Sequence, residues 1–159
     1  MTLAARRQTT YKDLLALPEH LVGEIVGGEL VVSPRPAMQY AGGVTALGAT
    51  IVVPDLAGWR VDRMPAPPSE TFMTLAPDWV CEVLSPSTGR HDRTKKLPIY
   101  ARASVAHLWL IDPLAQTLEV YRLDAGFWLL LATHGGDDPV RAEPFEAAVV
   151  ELSRLWGRI

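Results

Sequence analysis

The sequence predicts a mixed α/β (α+β) domain, and three observations carry that class. An amphipathic segment opens the chain, short apolar runs recur between glycine- and proline-rich turns, and between Trp79 and Asp112 an apolar run, a helix-compatible run and a second apolar run follow one another. Strand, helix, strand in that order is a parallel crossover, which needs a helix to bring the chain back to the same end of the sheet.

In chain order, Thr10–Pro18 places leucines on one helical face behind a threonine suited to an N-cap, and its proline ends the helix. Glu24–Val32 reads as two β runs around Gly27-Gly28, a dipeptide that accepts the positive backbone angles of a tight hairpin, with Pro34 and Pro36 ending the second strand. Met38–Ile51 is rich in alanine and glycine, and the spacing of Ala41, Val44 and Leu47 predicts a helix. Val52–Trp59 is apolar and β-like, with Asp55 its one charge, and its proline belongs at a strand start or edge. Arg63–Ser69 is too rich in proline for regular structure and predicts a surface loop.

Trp79–Leu84 is nearly continuous in apolar residues, as in a strand covered on both faces, and Glu82 interrupts it. A helix is expected over Asp92–Ala103 and a buried strand over Val105–Asp112. Thr117–Leu123 and Phe127–Thr133 flank Asp124-Ala125-Gly126 as a hairpin, and a helical piece ending near Trp156 closes the chain.

The 159 residues fit one domain, 1–159, large enough to bury a core without disulfides. The lone Cys81 has no disulfide partner and sits in an apolar run, which fits a buried thiol in a reducing compartment. No stretch approaches the roughly 18 apolar residues of a membrane span, and Met1–Gln8 lacks the apolar centre of a signal peptide. A cytoplasmic protein without a membrane partner is expected. A net charge of −3 counts against a sequence-independent nucleic-acid coat but leaves room for a locally basic site. One cysteine and four scattered histidines do not make a zinc site, and neither a nucleophile elbow nor a phosphate-binding glycine loop is present.

The chemistry therefore falls to carboxylates. Asp55 alone reads as a turn former after proline, whereas Glu82 amid Val80, Cys81, Val83 and Leu84 needs compensation, since an unpaired buried carboxylate is strongly disfavoured. A divalent cation would supply it. Magnesium or manganese takes one or two carboxylates together with water and phosphate oxygens, and Asp55 and Glu82 would be that pair. A lysine near such a site can neutralise charge at a phosphate, and Lys95 and Lys96 follow on the next helix. The four histidines, His91 among them, read as exposed residues without a role.

Pro54-Asp55, Glu82-Val83-Leu84-Ser85-Pro86-Ser87-Thr88, Asp92-Arg93, Lys96, Tyr100 and Trp109-Leu110-Ile111-Asp112-Pro113 together resemble the Uma-type restriction-endonuclease-like family of the PD-(D/E)XK nuclease superfamily. The resemblance runs from about Tyr11 to Leu155 and is densest over Pro77–Pro113. It implies a mixed central sheet flanked by helices, with extra N-terminal and C-terminal β-hairpins. It further implies a magnesium- or manganese-dependent endonuclease acting on DNA, with Asp55 and Glu82 as metal ligands, Lys96 completing the catalytic set, and Glu24, Ser85 and Asp92 in support.

Two departures accompany it. The position two residues after Glu82, where the superfamily carries its lysine on the same strand face, is Leu84, so Lys96 would reach back from the helix. The segment before Asp55 is also short, marking a shortened member. The competing expectation is a catalytically inactive member acting as an oligomeric or partner-binding scaffold. Nucleases of this fold often act as pairs, which implies a homodimer, with Phe127 and Trp128 on the C-terminal strands as candidate interface.

Overall fold

A computed structural model describes residues 9–18, 21–34, 44–66 and 72–156 of the chain. The first helix, α1 (Tyr11–Leu15), starts where Thr10 donates its backbone N–H to the Asp13 carboxylate at 2.7 Å. That contact satisfies a backbone group no helical turn could reach.

Strands β1 (Leu21–Val26) and β2 (Glu29–Pro34) form the hairpin expected around Gly27-Gly28, where φ is +61° and +80°. Both angles lie in the left-handed region that glycine enters without cost from a Cβ.

The structure corrects the helix expected over Met38–Ile51. Residues 38–43 lie outside the described residues, and the rest forms a hairpin of β3 (Val44–Leu47) and β4 (Thr50–Val52). The β-branched Val44, Thr45, Thr50, Ile51 and Val52 favour a pleated strand. Gly48, at φ +66°, makes the turn between them. The β run expected over Val52–Trp59 likewise divides. Pro54 breaks it, leaving β4 in one sheet and β5 (Leu56–Gly58) in another, with Val53-Pro54-Asp55 crossing between them.

A short β6 (Phe72–Met73) follows the proline-rich loop. Then β7 (Trp79–Val83) leads through a continuous helical run to β8 (His107–Asp112), and the two strands pair in parallel. The run comprises α2 (Gly89–His91), a π turn (Asp92–Lys96) and α3 (Leu97–Arg102), so the helix begins three residues before the expected Asp92. The hairpin β9 (Thr117–Asp124) and β10 (Phe127–Gly135) lies as expected. The closing helical piece shrinks to one 3-10 turn, Leu152–Arg154, after the two-residue strands β11 (Pro139–Val140) and β12 (Val150–Glu151).

Two five-stranded sheets result, in the orders β2-β1-β4-β3-β6 and β10-β9-β8-β7-β5, each with one parallel pair among antiparallel neighbours. The mixed sheet expected as one central layer is thus split at Pro54. Alternation along β7 and β8 sorts side chains into two cores. Val80, Leu108 and Leu110 pack with Leu84, Val52, Ile99 and Tyr100, so this core lies among the second sheet, β4 and α3. Cys81, Trp109 and Ile111 face the other way, against Ala142, Leu152 and Trp156. There the Trp109 indole donates to the Glu143 main-chain oxygen at 2.6 Å and that of Trp156 to Gly136 at 2.7 Å, which binds the C-terminal segment to the sheet. On the first face the Trp128 indole donates to the Leu97 main-chain oxygen at 2.9 Å and ties β10 to α3.

Candidate active site

Glu82 occupies the position on β7 whose period-two neighbours, Val80 and Leu84, belong to the core beneath α3. Its side chain is therefore buried completely. Both oxygens have partners: Oε1 accepts a hydrogen bond from the Tyr100 hydroxyl, and Oε2 accepts from Lys96 Nζ at 3.1 Å.

Asp92, Lys96 and Tyr100 recur every fourth residue along the helical run, which brings them to one side of it. The π turn spans the first two, with the Leu97 N–H donating to the Asp92 carbonyl five residues back. Such turns widen a helix locally and concentrate at functional sites. Lys96 is buried while its neighbour Lys95 is exposed.

Lys96 Nζ lies 3.0 Å from Glu24 Oε1, 3.1 Å from Glu82 Oε2 and 3.4 Å from Asp92 Oδ1, and donates to the Val53 carbonyl at 3.3 Å. Glu24 arrives from β1 through the pairing of Ile25 with Ile51 on β4. Its Oε1 also accepts from the Val53 N–H at 2.7 Å. The Val53 peptide is thus held on both its polar sides, by Glu24 and by Lys96, two residues before Asp55.

Asp55 sits at the crossing between the sheets, and its Oδ2 accepts from the Val83 N–H at 2.7 Å, one residue beyond Glu82. Its other oxygen makes no hydrogen bond among the described residues.

Burial is the main force on Glu82, raising its pKa to about 8; the Lys96 ammonium pulls it down, and the charges of Asp55 and Asp92 push it up. For Lys96, burial alone would favour the neutral amine, but the carboxylates of Glu82, Glu24 and Asp92 reverse that and hold the ammonium well above the usual lysine range. Burial, then Glu82, keeps Tyr100 a phenol, able to donate. Burial likewise holds Cys81 as a neutral thiol.

Of the residues singled out from sequence, Glu24, Glu82, Asp92 and Lys96 meet in one cluster, and Asp55 joins it through the Val83 backbone. Ser85 does not. Its hydroxyl accepts from the Thr88 N–H at 3.1 Å and bonds to the Thr88 and Ser87 hydroxyls, so it closes the turn that leads into the helical run. Ser85 also lines an open groove of about 570 Å³ with Arg90, Arg93 and Asp112. Arg93 is committed to Glu119 by a two-pronged contact at 2.9 and 3.2 Å.

Two cluster members were given no role from the sequence, although Tyr100 is among the residues that carry the resemblance. Tyr100, four residues from Lys96, was signalled by that spacing. His91, expected in solvent, is instead only one-fifth exposed, with Nε2 3.6 Å from Glu24 Oε2.

Among the described residues no three His, Cys, Asp or Glu side chains converge closely enough to form a metal site by themselves. The donor set nonetheless fits a hard cation that needs one or two protein carboxylates and completes its shell with water and phosphate oxygens. Among the described residues Asp55 has an uncommitted oxygen, and Glu82 presents an oxygen whose one cationic partner there is Lys96.

Residues 38–153 match the family model described as "Uma2: Putative restriction endonuclease". The crystal structure of a putative nuclease belonging to DUF820 from Anabaena variabilis is similar over 93% of this chain and 97% of that one, at 22% identity and a TM-score of 0.70. Likeness at that identity establishes the shared fold. No curated protein matches the chain.

Proposed function

The chain belongs to the Uma2 family, described as putative restriction endonucleases, and from that premise we propose that it is a metal-dependent endonuclease hydrolysing phosphodiester bonds in DNA. One observation carries the reading: a buried lysine ammonium and the carboxylates of Glu82, Glu24 and Asp92 meet within 3.4 Å beside Asp55. A nuclease-like activity follows from the family, and the metal and the substrate are our inference from the donor set.

Asp55 and Glu82 would hold a magnesium or manganese ion, which when bound supplies charge neutralisation at the scissile phosphate and a more acidic water. The chain's own residues prepare that site. Tyr100 fixes one Glu82 oxygen, so the carboxylate presents the other in a defined direction. Glu24 and Lys96 hold the Val53 peptide and thereby set the crossing from which Asp55 projects. Lys96 brings the positive charge that offsets charge developing on the phosphate.

The exposed apolar residues Phe127, Leu129, Leu130 and Leu131 on β10, an edge strand of its sheet, favour a two-fold dimer in which these edges meet. Trp128 leaves that candidate interface, because its indole turns inward to Leu97. Among the described residues no helix is long and apolar enough to cross a membrane, and we place the protein in the cytoplasm.

Supercoiled plasmid tests the activity. Conversion to nicked or linear DNA is expected with magnesium or manganese, and none with chelator or with Asp55→Asn. A folded wild type that leaves plasmid intact with either metal would instead favour the inactive scaffold.

A further inference from the structure

Among the described residues Lys96 Nζ has four oxygen neighbours but only three protons to donate. Three of the four, Glu24 Oε1 at 3.0 Å, Asp92 Oδ1 at 3.4 Å and the Val53 carbonyl at 3.3 Å, do not involve Glu82. The ammonium can therefore leave Glu82 Oε2 and keep its hydrogen bond to the Val53 carbonyl together with its ion pairs to Glu24 and Asp92. Three carboxylates also face this one ammonium, so the surroundings of Nζ hold more acidic than basic groups.

We propose that Lys96 is a resident counter-cation for Glu82 that gives up this carboxylate when a divalent ion binds, and that Glu24 and Asp92 are the residues that receive the displaced ammonium. The inference rests on the metal-dependent reading above and assigns a task to two carboxylates that it leaves outside the metal shell. Two cations on one buried carboxylate oxygen repel each other strongly in a medium that screens poorly. A lysine without an alternative partner would either block the metal or be forced, charged, into apolar surroundings. Glu24 on β1 and Asp92 on the π turn remove both difficulties, because they approach Nζ without sharing the Glu82 oxygen. Lys96 then stays inside the site as a charge for the phosphate. Asp92 and Glu24 act here as positioning residues, through Lys96.

The test is a double-mutant cycle read by calorimetric titration with Mn²⁺ alone, at one pH, on wild type, Asp92→Asn, Lys96→Met and the double variant. Asp92→Asn is expected to weaken Mn²⁺ binding about tenfold, because the ammonium then holds more firmly to Glu82, while Lys96→Met tightens it by about as much. In the Lys96→Met background the Asp92→Asn loss should shrink to within about threefold, since no ammonium remains to be received. Equal losses in both backgrounds would overturn the proposal and make Asp92 a direct ligand. Weaker binding by Lys96→Met would overturn it too, making Lys96 a support for the metal rather than its competitor. Absence of binding by the folded wild type would instead remove the metal-dependent reading, and the exchange with it. Should Lys96→Met fail to fold, Lys96→Gln, which retains donors without the charge, takes its place in the cycle under the same expectations.

Discussion

The carboxylate of Asp55 accepts a hydrogen bond from the backbone N–H of Val83 at 2.7 Å, so the crossing between the two sheets is fastened to the residue that follows Glu82. Separate strands thereby deliver the two carboxylates to one place with a fixed register. The link separates Asp55's structural task from the chemical one proposed for it. Asp55→Asn keeps an acceptor for Val83 and should leave the melting temperature within a few degrees while nicking falls on the order of 100-fold or more. Asp55→Ala should lose activity equally and also lower stability by about 1 kcal/mol, measured by denaturant unfolding.

Burial gives Glu82 a pH signature. Its carboxyl holds a proton up to about pH 8, against the ordinary glutamate value of 4.5. Between those values the unfolded chain has released that proton and the native protein has not, so the native state binds more protons and stability falls as pH rises. In metal-free protein the denaturant midpoint should therefore drop between pH 5 and pH 8, and Glu82→Gln should flatten that part of the profile. An unchanged slope in Glu82→Gln would assign the titration to another group.

Tyr100 donates to the Glu82 oxygen that Lys96 does not touch. Tyr100→Phe leaves that buried acceptor with no other donor among the described residues, and should cost about 1–3 kcal/mol of stability. Because the carboxylate also loses its orientation, metal affinity should fall in the same variant, as calorimetry would register.

The exposed leucines of β10 carry the assembly prediction. Leu130→Lys places a charge in the apolar edge and should shift the sedimentation coefficient from dimer to monomer, with the far-ultraviolet circular dichroism unchanged. A wild type that sediments as a monomer at tens of micromolar would exclude this edge as an interface.

The residues that announced the fold in the sequence are those whose local chemistry has few alternatives. Gly27-Gly28 could hardly be anything but a tight turn, and a lone glutamate within Trp79–Leu84 marked a buried strand whose carboxylate needed partners. The choice of Lys96 over Lys95 came from the family resemblance, and the helix turns Lys96 inward. What local pattern could not show depends on distant pairing. Glu24 reaches Lys96 because β1 pairs with β4, and neither strand's own sequence states that. The hairpin over Val44–Val52 was hidden by alanines and glycines whose spacing also suits a helix, and its β-branched residues settle into strands once they have cross-strand partners. Pro54 was visible as a strand breaker, yet that the break would separate two sheets follows only from the packing of β5 against β7. Ser85, which the family resemblance places in support, has its hydroxyl on Thr88 in the turn before the helix.

The most direct test of the account is titration of the folded wild type, Asp55→Ala and Glu82→Ala with Mg²⁺ or Mn²⁺ by calorimetry. The account predicts one saturable site in the wild type that is lost in both variants. Saturable binding that survives in either variant, or none in the wild type, would contradict the assignment of Asp55 and Glu82 as the metal-holding pair.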